Sequence, residues 1–368
     1  MPACPLKIDL HTHILPESWP DLSERYGQGS WPRLEHTSPG CARVMIDDRL
    51  FREVEPSTWD PTVRLADCDR CGVDVQVLST VPVMFSYSAK VADALDLSRL
   101  LNDHLAGVCA DRPTRFVGLG TIPMQDPDVA VKELQRCVEE LGLAGVQIGS
   151  HVNGANLDDP ALFGVFEAAA ALNAAVFVHP WEMLGGQRMT KYWLPWLVGM
   201  PAETALAICS VIFGGVLERL PALRIAFAHG GGAFAFTLGR IDYGFKVRPD
   251  LCAVDCSLSP RGQLGRFYVD SLVHDAAALK YLIEVMGTER VALGSDYPFA
   301  LGEKEPGALI ETLDGLSTTA RARLLGGSAL EFLGLTADAF VGTDDSAATT
   351  TARPPAGGSP TGSPTMGP

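Results

Sequence analysis

The sequence predicts an α/β protein, a closed (β/α)8 TIM barrel of one large domain with a long insertion after its first strand. Eight short, near-continuous apolar runs alternate with helical patterns along the chain, as buried parallel strands and their crossover helices do. Asp-Pro pairs open several of those helices. Four of the apolar runs end in histidine or aspartate, one in both His11 and His13 and the others in His179, His229 and Asp296, so side chains able to bind metal or move a proton would gather at one end of a barrel.

The strands are expected at 6–13, 73–80, 115–123, 143–150, 174–180, 224–230, 267–273 and 290–295. Asp60-Pro61 caps a helix running through VRLADCDRCG, Asp126-Pro127 one through DVAVKELQRCVEELG, and Asp159-Pro160 one through ALFGVFEAAAALN. An open doubly wound sheet is the structural alternative, but no G-x-G-x-x-G turn follows the first strand and no phosphate loop is present. Residues 14–59 form the insertion, with Trp19, Tyr26, Trp31, Phe51 and Trp59 among Gly and Pro. At that position it reads as a lid or small subdomain over the mouth of a 1–341 barrel domain, the other reading being a surface loop. Residues 342–368 hold no Leu, Ile, Val, Phe, Trp or Tyr and read as a disordered tail.

Composition narrows the function classes. The chain has 368 residues, 47% of them hydrophobic, which is ample for one barrel core. A formal charge of −15 and a pI near 4.9 argue against nucleic acid or an anionic membrane as partner. An anionic substrate would need locally placed arginines. Nine scattered cysteines and an opening MPACPLKIDLHTH without a signal-peptide pattern lead us to expect reduced thiols and a cytoplasmic (cytosolic) protein. Cys68 and Cys71 form a lone C-x-x-C inside a helical stretch and read as packing residues. The longest apolar stretch, 204–217, falls short of the ~18 residues a membrane span requires and reads as a buried helix.

His11 and His13 lie one residue apart on a strand, so both face the same side. Alone, an H-x-H is weak; His179 alone could be a satisfied core histidine. Asp296 is harder to dismiss, because a buried carboxylate must be paired or metal-bound. Together the four make a ligand set for one divalent ion with room for a water. His229, followed by three glycines, could be a further ligand; we favour a general acid/base beside the metal's water, since imidazole titrates near neutrality. His36 lies in the insertion and His104 in a helix; His151 and His274, just past the fourth and seventh strands, read as surface or capping residues, the other reading being that they line the pocket. The fourth strand carries Gln147 and no lysine that could bridge two ions, which favours a single metal.

With those residues placed, the strings KIDLHTHILPESWPDL, LSTVPVMFSY, RFVGLGTIPMQ, GVQIGSHVN, KYWLPWLVGMPAET, FAHGGGAF, RPDLCA and SDYPF resemble the amidohydrolase superfamily from about Lys7 to Leu335. Within it they resemble a metal-dependent, non-oxidative decarboxylase of tryptophan (kynurenine) catabolism. The resemblance implies one zinc per subunit on His11, His13, His179 and Asp296, Asp296 and His229 in the chemistry, and a dicarboxylate substrate. It implies Arg52 as a carboxylate contact and a homodimer in which Arg240 reaches the neighbouring active site. Trp196, Met183 and Phe299 take pocket-lining places. Family members can carry lysines where this chain has Ile46 and Arg49, which bears on substrate affinity. The rival readings are a decarboxylase of an aromatic acid, an amidohydrolase-type hydrolase, and a non-catalytic metal-binding module.

Overall fold

A computed structural model describes residues 6–27 and 29–340; the predicted 342–368 tail lies outside the described residues. Eight parallel strands follow one another around a barrel: β1 (Ile8–Ile14), β5 (Val75–Thr80), β6 (Phe116–Gly120), β7 (Gly145–Gly149), β10 (Ala175–His179), β11 (Arg224–Phe227), β12 (Tyr268–Asp270) and β13 (Val291–Ala292). The remaining strands are β2 (Pro32–Ser38), β3 (Cys41–Ile46) and β4 (Arg49–Val54) of the insertion, and a two-residue hairpin, β8 (His151–Val152) and β9 (Ala155–Asn156). The ring closes where the chain leaving β13 meets β1. Leu10 N–H donates to Leu293 O, His13 N–H to Tyr297 O and Asp296 N–H to His11 O, each at 2.8 Å. Each expected strand is present, shorter than its apolar run at one or both ends.

Burial follows the pleat. In β10, Ala175 and Phe177 point into the barrel with Val75, Val77, Val117, Leu119, Ala226 and Ala292, while Val176 and Val178 face the surrounding helices. His179 continues the inward series. Strand β1 contains a departure that its sequence does not announce. Its register against β5 slips by one residue between Asp9 and Thr12, a bulge. Ile8 and Leu10 therefore fill the barrel floor, and after the slip His11 and His13 also face inward. Without the slip, the phase of Ile8 and Leu10 would turn both imidazoles outward.

The Asp-Pro signals all operate. Asp60 accepts from Thr62 N–H at the start of helix Pro61–Cys71, Asp126 from Val129 N–H at Pro127–Gln135, and Asp159 from Ala161 N–H. Cys68 is buried within the first of these helices, and the eight cysteines among the described residues are unpaired. One expectation needs correcting. The apolar stretch 204–217 is not a single helix: Gly214 and left-handed Gly215 break it after Phe213. The helical run instead begins at Pro195, and Pro195–Phe213, 19 residues at mean hydropathy 1.6, is long and apolar enough by length and composition to cross a membrane. Ile208, Val211 and Ile212 on it are nevertheless fully buried against the barrel, the packing of a core helix.

The insertion is a helical turn, Leu22–Tyr26, and an antiparallel β2–β3–β4 meander. Leu22, Trp31, Val44, Val54 and Trp59 pack on Val81, Val83, Met84, Leu97 and Leu101 of the barrel. That seat holds β4, and with it Arg52, beside the carboxyl end of the strands.

Gly145 shows how little slack the barrel has. A Cβ there would lie 1.9 Å from the Ala175 carbonyl oxygen, whereas one at Gly164 in helix Phe163–Ala171 would meet nothing within 4 Å. Calorimetric unfolding of Gly145→Ala is therefore expected to lose about 3 kcal/mol, the upper end for overpacking, since backbone cannot rotate aside. Gly164→Ala should gain about 0.4–1 kcal/mol; equal effects would contradict this packing.

Candidate metal centre

The first strand supplies two imidazoles, β10 a third and the turn after β13 a carboxylate. One donor atom from each of His11, His13, His179 and Asp296 lies within 4.8 Å of the others, and all four residues are buried. His11 Nε2 is 3.2 Å from His13 Nε2, and Asp296 Oδ1 is 3.1 Å from His13 Nε2 and 3.5 Å from His11 Nε2.

The other ring nitrogens fix which atoms carry protons. His11 Nδ1 lies 2.7 Å from Asp270 Oδ2, His13 Nδ1 3.0 Å from Thr80 O, and His179 Nδ1 2.9 Å from Pro180 O. A carbonyl and an ionised carboxylate only accept, so each Nδ1 bears the hydrogen and each Nε2 a lone pair. Three lone pairs and a carboxylate oxygen thus face one another. His179 Nε2 is buried with no hydrogen-bond partner, which by itself costs about 1–3 kcal/mol. A cation at the centre would satisfy all four at once, and the N3O set fits a borderline divalent ion.

Electrostatics agree for His179 and Asp296, whereas for His11 burial pushes downward but the Asp270 and Asp296 carboxylates outweigh it and hold the imidazole above its usual range. Burial, reinforced by His229, His13 and His11, holds His179 well below the usual imidazole range, hence neutral. For Asp296, burial pushes upward, but the close imidazoles of His13, His229 and His11 outweigh it, leaving the carboxyl well below the usual range. Gln147 is not a donor here: its amide bonds Thr80 O and Ser79 Oγ. Among the described residues one such group of donors occurs.

His229 stands beside this group, its Nε2 3.9 Å from Asp296 Oδ2 and its ring about 5 Å from those of His11 and His179. Its φ is +56°, and Gly230, Gly231 and Gly232 continue in the left-handed region. Such strain at a non-glycine costs about 1–3 kcal/mol. Asp270, the last residue of β12, offsets it. Its carboxylate accepts from His229 N–H at 2.8 Å, Gly230 N–H at 2.7 Å and Leu272 N–H at 3.0 Å, besides His11; each bond to a charged acceptor contributes about 1.5–3 kcal/mol. The third glycine is also required, since a Cβ on Gly232 would sit 2.3 Å from Pro201 O.

The pocket over the donors is walled by Phe51, Trp181, Trp193, Trp196 and Phe299. Phe299 packs 5.4 Å from the His13 ring. Arg52 enters from β4, its guanidinium 4.0 Å over the Phe299 ring, and no carboxylate among the described residues lies within salt-bridge distance of it. Trp196 and Phe299 both line this pocket. Met183 lines an adjoining cleft behind Phe51, Trp181 and Trp196 rather than the metal pocket itself. Arg240 lies exposed on helix Phe234–Val247, and a single chain does not bring it to the pocket. Of the remaining histidines, His36 Nε2 meets Glu17 O and His151 Nδ1 accepts from Gly154 N–H.

Sequence reasoning missed Asp270, Trp181 and Trp193. The signal for Asp270 was available: an aspartate inside the apolar run FYVDSLV is as anomalous as Asp296. Thr80 and Pro180 act through backbone carbonyls, which no residue type advertises.

A profile of the amidohydrolase family matches residues 8–335. The chain is 61% identical over 330 residues to a 2-amino-3-carboxymuconate-6-semialdehyde decarboxylase of Dictyostelium discoideum, covering 90% of this chain and 92% of the relative. It is 40% identical to the Caenorhabditis elegans protein of the same name, covering 89% and 94%. Among solved structures, 5-carboxyvanillate decarboxylase from Sphingomonas paucimobilis superposes with a TM-score of 0.76 at 27% identity, over 90% of this chain and all of that one.

Chelation should lower the melting temperature, and zinc added to 1,000 times its dissociation constant should restore about 4 kcal/mol. A melting curve indifferent to both would contradict the donor geometry.

Proposed function

The chain belongs to the amidohydrolase family, and from that premise we propose that it decarboxylates 2-amino-3-carboxymuconate-6-semialdehyde to 2-aminomuconate-6-semialdehyde and carbon dioxide, a step of tryptophan (kynurenine) catabolism in the cytosol. The observation that carries this reading is the pairing of four convergent donors with an unpaired Arg52 and a free imidazole, in a chain 61% identical to a decarboxylase of that name.

The proposed resident ion is one zinc on His11, His13, His179 and Asp296. Bound there, it supplies Lewis-acid polarisation and lowers the pKa of a coordinated water toward ~7. The chain's own residues do the rest. Arg52, planar and partly desolvated, grips a substrate carboxylate in two places. Phe299 stacks under that guanidinium and Trp196 closes the opposite wall, so the conjugated substrate lies between aromatic faces while bulk water is kept out. His229 takes a proton at Nε2 from the water whose hydroxide adds to the conjugated substrate and gives it to the adjacent carbon that bears the carboxylate; the carbon–carboxylate bond then breaks, and its electron pair re-forms the double bond as the hydroxide leaves. The 14–59 insertion acts as the lid that carries Arg52.

We further assign the second carboxylate contact to Arg240 of a neighbouring copy in a homodimer. Support comes from helix Phe234–Val247, where Phe236, Arg240, Tyr243 and Val247 share one face and the three apolar residues are 85%, 65% and 48% exposed. That is an apolar strip around a lone cation, suited to a partner.

The rival hydrolase reading is separated by assaying released carbon dioxide together with loss of substrate absorbance; release of an alcohol or amine without carbon dioxide would replace the decarboxylase. His229→Asn should lose about 10²–10⁴-fold in kcat with metal content unchanged, and near-normal turnover would remove His229 from the mechanism. Mixing His229→Ala chains with Arg240→Ala chains, each inactive alone, should recover about a quarter of wild-type activity, because half the dimers then hold one intact site. No recovery would place Arg240 outside the neighbour's pocket.

A further inference from the structure

Asp270 belongs neither to the donor group nor to the pocket wall, yet it is fully buried and three of its four hydrogen bonds go to a metal-ligand candidate and the His229 turn. Oδ2 receives His11 Nδ1–H at 2.7 Å and His229 N–H at 2.8 Å; Oδ1 receives Gly230 N–H at 2.7 Å and Leu272 N–H at 3.0 Å. One oxygen therefore holds a metal ligand and the backbone of the acid/base together. We propose that Asp270 is the positioning residue that couples the two, orienting the His11 imidazole toward the ion while holding His229 in its left-handed backbone so that Nε2 reaches the reacting carbon.

Three features of the geometry support this. The His229 to Gly232 turn has four consecutive positive φ values, +56°, +62°, +72° and +59°, and its amides at 229 and 230 have Asp270 as their acceptor. Successive N–H groups in such a turn form a concave cradle for an anion; here the anion is fixed to β12. Second, among the described residues Asp270 is the one hydrogen-bond partner of His11 Nδ1, and ligand histidines depend on such a partner for ring orientation. Third, four donors meet this carboxylate, whereas asparagine offers one accepting oxygen and an amide that would confront N–H groups.

The inference rests on the metal-site and His229 roles proposed above, and its test separates the two. Asp270→Asn, nearly isosteric, is expected to weaken zinc about 10–100-fold in chelator competition and to shift the d–d bands of the cobalt-loaded protein; both readouts are independent of any activity. At saturating metal, kcat should remain at least about 10-fold down with KM little changed, and the Asp270→Asn/His229→Asn double variant should be no slower than His229→Asn alone, as residues acting through one another show. Full recovery of kcat at saturating metal, or strictly multiplicative losses in the double variant, would overturn the link to His229. Unchanged metal affinity and an unchanged cobalt spectrum would overturn the link to His11. Should the variant not fold, hydrogen exchange on the wild-type holoprotein decides: the amides of His229 and Gly230, though in a turn, should be protected like those of β11, and loop-like exchange would contradict the clamp.

Discussion

Three imidazole lone pairs and a carboxylate converge inside a barrel mouth, and the surrounding structure leaves none of them free to turn away. Thr80 O, Pro180 O and Asp270 each hold an Nδ1–H, so the Nε2 atoms must look at one another. Such a cluster is tolerable when a positive charge sits at its centre. Much else in the chain can be understood as serving that constraint. The bulge in β1 turns two histidines inward above Ile8 and Leu10, and the close passage of Gly145 by Ala175 keeps β7 and β10 in register beneath His179.

The second constraint is charge. A protein with a formal charge of −15 repels anions in general, so a carboxylate substrate must be attracted locally. In the proposed function Arg52 would do this at modest cost, because its guanidinium is spread over the Phe299 ring rather than neutralised by an acid. Its placement depends on the insertion's hydrophobic seat against Val81, Val83 and Leu97. A peripheral meander thereby becomes part of the pocket.

The fold was largely legible in the sequence because its signals are local. Apolar runs buried on both faces mark each strand, and Asp60, Asp126 and Asp159 each cap the helix or helical turn that their Asp-Pro pair announces. The donor set was legible for a related reason, since polar residues ending apolar runs are anomalous one by one and coherent together. What stayed hidden depends on contacts between distant segments. The β1 bulge needs the register of β5; the tautomers need carbonyls; the placement of Met183 in a neighbouring cleft needs the path of the 181–196 loop. The early start of helix Pro195–Phe213 was masked by Pro201, which sits in its second turn after a π-helical one. Arg240 is the case where even the folded chain leaves its residue away from the pocket.

The central claim is that four protein donors, three nitrogen and one oxygen, hold a single cation. X-ray absorption at the zinc edge of stoichiometrically loaded protein measures this directly. A first shell near 2.0–2.1 Å with about three imidazoles in its outer-shell scattering and no sulfur is the result expected. A sulfur shell at about 2.3 Å would place the metal on cysteines elsewhere, and protein that retains no stoichiometric metal would contradict the account outright.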